Sequence, residues 1–329
     1  MKIMVTDYAW EDLEIERKIL STINASLVTA HSGTEDELVE LAAGVDGIFT
    51  NWKPVTRKII ANARKCKAIV RYGVGLDNID VQYATEMGIL VANVPGYCLE
   101  EVSDHALALL FALARKITLF DRAAKSGIYD LRVGPPFYRL RGKTLGLVGF
   151  GKIGSLVCRK AMGLGLEVIA FHRTARFNSA KDEAIETVSF PELLRRSDYI
   201  SIHAPLTFET HHLFNLAALQ QMKSTAFLIN TARGDIVDSK ALLQALDDGL
   251  IAGAGLDVLP EEPPDTHDPL LLHPKTIVTP HAAFNSVESL QELRSTAAAE
   301  MLDALLGNVP QFVVNPEVLH RHNLRTGSS

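Results

Sequence analysis

Three stretches of this chain carry residue types suited to proton and anion chemistry. "INTARGDIVD" holds Arg233, "GAGLDVLPEEPP" holds Asp257 and Glu262, and "VTPHAAF" holds His281. Each contains or follows an apolar run that reads as a strand. In a doubly wound α/β fold, ligands lie beyond the carboxyl ends of the strands, so residues distant in sequence can converge there. The chemistry open to this set is carbonyl reduction. A hydride added to a keto carbon leaves charge on oxygen, and histidine is the natural acid to protonate that oxygen near neutral pH. A carboxylate beside it holds the imidazole and favours its charged form. An arginine binds a substrate carboxylate and polarises the carbonyl. Taken singly, each has a plainer reading: a structural histidine, a glutamate in an exposed loop, and an Arg-Gly turn.

The hydride needs a carrier, and residues 145–176, "LGLVGFGKIGSLVCRKAMGLGLEVIAFHRTAR", suggest one. Gly149, Gly151 and Gly154 form G-x-G-x-x-G between a strand ending at Val148 and a helix starting near Lys152 and Ile153. The first glycine permits the tight turn, the second lets backbone approach a pyrophosphate, and the third lets helix and strand pack closely. The helix start then offers free N–H groups to phosphate. A purely structural βα turn can show the same spacing. An acid that would bind the adenosine ribose is expected about twenty residues on. Here that place reads His172, Arg173, Thr174, with Arg176 beyond. Arg173, Arg176 and Thr174 suit a 2′-phosphate, which a carboxylate would repel. The alternative is two solvated loop arginines. NADP(H) is the favoured cofactor, with NAD(H) as the alternative.

The elements that must position these residues alternate between strand and helix patterns. "KIMVTDY", "ASLVTAH", "VDGIFTN", "KAIVRYG" and "GILVANV" read as strands. "TEDELVELAAG" reads as a helix with Thr34 and Glu37 as a capping box and Gly44 as its stop. A long apolar helix is expected from about Glu100 to Ser126, then an exposed connection through "SGIYDLRVGPPFYRLRGKT". A second series follows: "TLGLVGF", "LEVIAFH", "DYISIHA", "TAFLINT", "IAGAGLDV" and "TIVTP". The last long helix spans about Ser286 to Leu306. Such alternation predicts parallel sheets covered on both faces. The 329 residues, 47% of them hydrophobic, suit two domains. The expected division is residues 1–99 plus 285–329 as a discontinuous substrate domain, and 100–284 as the dinucleotide-binding domain.

A net charge of −6 shows no basic footprint for nucleic acid. The longest apolar stretch, "HALALLFALARKI", is too short to span a bilayer, and the N-terminus becomes charged before any signal-like run. The three cysteines, Cys66, Cys98 and Cys158, have no pairing pattern and suggest reduced thiols in a cytoplasmic protein. No metal site is expected.

"RYGVGLDNID", "NVPGYCLEEVSDHALALLFALAR", "LRGKTLGLVGFGKIG", "HAPLTFET", "LINTARGDIVD", "LDVLPEEP" and "TPHAAF" stand in an order and spacing that resemble the D-isomer-specific 2-hydroxyacid dehydrogenases over essentially the whole chain. "EEVSDHAL" and "PHAAFNSVESLQELR" are similar to the branch that includes C-terminal-binding proteins and their bacterial relatives. The resemblance implies two Rossmann-like doubly wound domains with the active-site cleft between them, usually in a dimer. It implies His281 as acid/base, Glu262 as its partner and Arg233 as the residue orienting the substrate's carboxylate and carbonyl. Val74 and Gly75 would offer backbone N–H groups to that carboxylate. Asp257 would lie near the nicotinamide carboxamide, and Ala204, Pro205, Thr231 and Ala232 would line the cofactor.

Asn51, Trp52, Lys53, Arg71 and Cys98 lie at first-domain strand ends or turns. Lys53 or Arg71 could bind a substrate anion, with surface or packing roles as the alternative. The family often carries Asp where His172 stands, and "FHRT" resembles the NADP-preferring glyoxylate and hydroxypyruvate reductases. No regulatory domain of the kind many phosphoglycerate dehydrogenases carry is expected. The favoured expectation is an NAD(P)H-dependent reductase of small 2-ketoacids, as a homodimer. The alternatives are an NAD-dependent 3-phosphoglycerate dehydrogenase and a nucleotide-sensing interaction protein.

Overall fold

The computed structural model describes residues 1–172 and 185–325. The chain divides into two compact units, Met1–Tyr97 with Ser286–Ser329, and Cys98–Asn285. In the first unit, β1 (Lys2–Val5), β2 (Ser26–Thr29), β3 (Gly47–Thr50), β4 (Ala68–Arg71) and β5 (Leu90–Ala92) form one sheet in the order β2-β1-β3-β4-β5. All its pairs are parallel. This is the flavodoxin-like order. The central strand β3 and the edge strand β5 are both buried throughout, because a parallel sheet is covered on both faces and its strands read as continuous apolar runs. Met4, Ile48, Ile69 and Val91 pack with Leu38, Ile59 and Ile60 from the covering helices. The C-terminal helix Val287–Leu306 joins this unit by packing on the helix Glu14–Leu20 and on β4. Its Arg294 bonds the buried Glu16 at 3.0–3.3 Å and Asp12 Oδ1 at 2.9 Å.

The second unit holds β6 (Thr144–Val148), β7 (Glu167–Phe171), β8 (Glu186–Thr187), β9 (Tyr199–Ile202), β10 (Phe227–Asn230), β11 (Gly253–Leu256) and β12 (Thr276–Val278). Their order is β12-β11-β10-β9-β6-β7-β8, again parallel throughout. This is the Rossmann order with one added strand, and the chain changes direction across the sheet between β6 and β9. Every strand-like run read from the sequence contains a strand. Among the described residues, no helix is long and apolar enough to cross a membrane.

Three local readings need correction. The long apolar helix is two, Leu99–Ala114 and Ile117–Lys125, parted where Lys116 takes a left-handed φ of 55°. The buried face ends at Ala114, and the second helix buries none of its residues. The capping box does not form. Thr34 makes no side-chain cap, and Glu37 turns back to accept from the His31, Ser32 and Gly33 amides at 2.6–2.8 Å. The Ser32 hydroxyl and those amides push its carboxyl down to about 2. The short strand β8 was not expected. Its two polar residues carry no pattern, and Glu186 is anchored instead by two bonds from Arg196, at 2.6 and 2.7 Å.

Candidate active site

The second unit gathers its candidate residues at the carboxyl ends of neighbouring strands. The glycine turn follows β6, His172 follows β7, Ala204 and Pro205 follow β9, Arg233 follows β10, Glu262 lies beyond β11, and His281 lies beyond β12. The turn at Gly149 needs glycine on two counts. Its φ is 96°, and an added Cβ would lie 2.6 Å from the Ala204 nitrogen. The end of β6 therefore closes on the loop after β9. Gly151 shows the opposite, with nothing within 4 Å of an added Cβ. It opens the helix Lys152–Gly163 with no side-chain cap and no acidic residue in the first turn. Open space above uncapped N–H groups fits a dinucleotide pyrophosphate. Thr231 Oγ1 is buried without a hydrogen-bond partner among the described residues, which also fits a missing ligand. His172 stacks near Phe150 of the turn, with centroids 6.3 Å apart, and its Nε2 lies 3.3 Å from Thr187 Oγ1. Arg173, Thr174 and Arg176 lie outside the described residues.

His281 and Glu262 meet. Nδ1 of His281 lies 2.6 Å from Oε2 of Glu262, with the two side chains 27% and 33% exposed. An ionised carboxylate only accepts, so Nδ1–H donates and Nε2 is left for proton exchange. Burial alone would raise the Glu262 carboxyl. The bond and charge of His281, the Leu259 amide at 3.0 Å and the charge of Arg233 outweigh it and hold the carboxyl below the usual glutamate value. Arg233 donates to the Ala232 carbonyl at 2.7 Å.

Sequence reasoning missed the parts that hold these side chains in place. Buried Asn230 accepts from the Ala232 amide at 3.0 Å and donates to the Arg233 carbonyl at 2.8 Å, which fixes the loop from Thr231 to Arg233. Asp257, expected at the carboxamide, has both carboxylate oxygens engaged by the His281 loop. Oδ1 accepts from Thr279 Oγ1 at 2.6 Å and the Ala282 amide at 2.9 Å, and Oδ2 from the Ala283 amide at 3.0 Å. The His281 amide donates to the Asp257 carbonyl at 2.8 Å. His105, from the helix Leu99–Ala114, reaches the same cluster, with Nε2 2.9 Å from Thr279 Oγ1. The "SDHAL" stretch contained it, but only as part of an apolar helix. Under the glycine turn, His203 bonds Ser201 Oγ at 2.9 Å, and burial pushes its imidazole down to about 4. It is neutral at physiological pH.

Gly234 lies where the Arg233 loop packs on the loop leading to Glu262. A Cβ there would lie 2.2 Å from the Leu259 carbonyl carbon and 2.3 Å from the Pro260 nitrogen. Those obstacles are backbone and cannot rotate away. Gly234→Ala is expected to destabilise the protein by about 1–3 kcal/mol. It should also lower turnover, by parting Arg233 from Glu262. Urea unfolding and steady-state rates together check this, and an unchanged midpoint would contradict it.

In the first unit, Asn51, Trp52 and Lys53 form a turn after β3. Their amides donate to the Asp7 carboxylate at 2.8–3.2 Å, a role for Asp7 that the sequence did not signal. Arg71 ends β4 and donates from Nη1 to the Tyr72 carbonyl at 2.6 Å. Val74 is exposed, and its carbonyl accepts from Asn93 at 2.7 Å. Gly75 follows it in the same loop. Cys66, Cys98 and Cys158 are buried, and none of the three takes part in a disulfide.

The chain is similar to known proteins along most of its length. Residues 107–283 match the family described as D-isomer specific 2-hydroxyacid dehydrogenase, NAD binding domain. A glyoxylate reductase of Korarchaeum cryptofilum is 40% identical over 269 residues, 81% of each chain. D-lactate dehydrogenase of Aquifex aeolicus, solved with NAD and lactic acid, superposes with TM-score 0.85 at 27% identity, covering 95% of this chain and 99% of the other. An acyclic imino acid reductase solved with NADPH and D-Arg gives 0.86 at 28% identity, covering 95% and 100%. The order of strands, the glycine turn and the full-length relatives lead to one conclusion: the chain belongs to the D-isomer specific 2-hydroxyacid dehydrogenase family and is a nicotinamide-dependent oxidoreductase.

Proposed function

We propose that the protein reduces small 2-ketoacids of the glyoxylate and hydroxypyruvate kind to D-2-hydroxyacids. The observation that carries this reading is the 2.6 Å contact of His281 Nδ1 with Glu262, beside the charge of Arg233. A reduced nicotinamide, when bound, supplies the hydride. His281 gives its Nε2 proton to the oxygen that gains charge. Glu262 orients the imidazole and balances its positive charge. Arg233 binds the substrate carboxylate and stabilises charge growing on the carbonyl oxygen. Asp257, with Thr279 and His105 behind it, holds the His281 loop. For the substrate anion we assign Val74 and Gly75 as amide donors, and Arg71 or Lys53 as the cation.

The cofactor assignment rests on Gly149, Gly151, Gly154 and the helix start at Lys152 and Ile153. Ala204, Pro205, Thr231 and Ala232 are the assigned lining. We favour NADP(H) because His172 stands where a ribose-binding acid is usual and Arg173, Thr174 and Arg176 follow. Arg173→Asp combined with Arg176→Ala is expected to move the preference toward NADH by at least tenfold in kcat/KM. An unchanged NADPH/NADH ratio would refute the arginine reading. Buried cysteines outside any disulfide favour a reducing, cytoplasmic setting, and a homodimer is the assembly we expect. Sedimentation of the purified protein checks the dimer.

The pH dependence follows from Glu262. Its folded pKa lies below the unfolded value, so its stabilising contribution is complete above the unfolded pKa, about 4.3. That contribution is lost as pH falls through the lower, folded value. Wild type should therefore exceed Glu262→Gln in thermal stability by a constant margin near neutrality, and the margin should shrink in acid. A margin that grows in acid would contradict the pairing.

The experiment for the function is steady-state reduction of glyoxylate, hydroxypyruvate, pyruvate and longer 2-ketoacids, each with NADPH and NADH. A kcat/KM maximum at glyoxylate or hydroxypyruvate supports the proposal. No turnover across the panel, with cofactor still bound, would reject it in favour of a nucleotide-sensing role.

A further inference from the structure

A second cluster of chemical side chains lies away from His281 and Glu262. The segment after β9 runs beside the segment after β10. The His212 amide donates to the Asp235 carbonyl at 2.8 Å, Phe214 to Ile236 at 3.1 Å, and Asp238 to Phe214 at 3.1 Å. Phe214 and Val237 form a parallel bridge. Phe214 and Ile236 are fully buried, so this register is fixed by the core. The register sets Asp235 opposite His212.

His212 also takes a left-handed φ of 51°, a region that histidine, asparagine and aspartate enter more often than other side-chain-bearing residues. Successive side chains on an extended backbone point to opposite faces. Here instead the rings of His211 and His212 lie face to face, with centroids 3.9 Å apart and planes 23° from parallel. One ligand atom from each of His211, His212 and Asp235 lies within 4.8 Å of the others. Both imidazoles are exposed and Asp235 is half-buried. Two nitrogens and one carboxylate oxygen form the donor set of late first-row divalent ions. Magnesium and calcium call for oxygen donors throughout.

We propose that His211, His212 and Asp235 bind a late first-row divalent cation of the Zn²⁺ class. Metal–ligand bonds of about 2.0–2.2 Å require the ligand atoms to draw together, which rotation of the exposed imidazoles supplies while the backbone register stays fixed. Three protein ligands leave a coordination position open to water. The ion ties the segment leading from Ala204 and Pro205 to the segment leading from Arg233. It stabilises the fold there and takes no part in proton transfer at His281. The site stands independently of the substrate proposed above.

The test is equilibrium dialysis of chelator-treated full-length protein against Zn²⁺, with bound metal counted by mass spectrometry. His211→Ala removes an exposed ligand. His212→Asn removes another with a residue that tolerates the left-handed backbone. Wild type should retain one more Zn²⁺ per chain than either variant. Its unfolding temperature should rise with Zn²⁺, and that of the variants should not. Ketoacid turnover of metal-free His211→Ala should equal that of metal-free wild type. Equal zinc retention by wild type and both variants, or a zinc-dependent rise common to all three, would overturn the site.

Discussion

His281→Asn is expected to lower kcat for ketoacid reduction by about 10²–10⁴-fold, the range for losing a positioned general acid. The position constrains the choice of substitution. His281 has φ 50°, and asparagine tolerates that region better than alanine or a branched residue. Its amide also still donates to the Asp257 carbonyl. The loop is therefore retained while the proton donor is lost. Cofactor affinity, read by fluorescence titration, should stay near wild type, because the glycine turn follows a different strand. A kcat within a few-fold of wild type would remove His281 from the chemistry.

Arg233→Gln is the second large effect, an expected fall in kcat/KM of about 10²–10³-fold, the scale for removing one electrostatic stabiliser of the transition state. Arg233→Lys should recover only part of it, since a point charge lacks the planar fork that matches a carboxylate. A coupled consequence concerns Glu262. Arg233 is one of the groups holding that carboxyl low, so its removal moves Glu262 up toward the ordinary range. The acid limb of the pH–rate profile should shift to higher pH in Arg233→Gln. Full rescue by lysine, with no shift of the acid limb, would contradict both roles.

Much of the fold was readable because parallel strands announce themselves. Runs such as "GIFT" and "YISI" are mostly apolar and buried throughout. The glycine turn was equally readable, since Gly149 meets a backbone need that few other residues satisfy. Glu262 and His281 were found as residue types at strand ends, and their side chains lie 2.6 Å apart. The supporting parts were hidden because their partners are remote or backbone. Asp257 serves amides 25 and 26 residues away, and Asp7 serves a turn more than forty residues on. Gly234 matters only through Leu259 and Pro260. Glu37 looked like a cap because spacing alone shows neither where a loop folds back nor which amides lack partners. His211 and His212 carry no motif of their own, since only the register with Asp235 brings the three together.

The central claim is that hydride enters C2 of a 2-ketoacid on the face that yields the D isomer, with His281 supplying the proton. It is tested by reduction of hydroxypyruvate with NADPH or NADH dideuterated at C4, followed by chiral analysis of the product. D-glycerate carrying deuterium at C2 is expected, with its formation in His281→Asn slowed by about 10²–10⁴-fold. L-glycerate, or product without deuterium at C2, would contradict it.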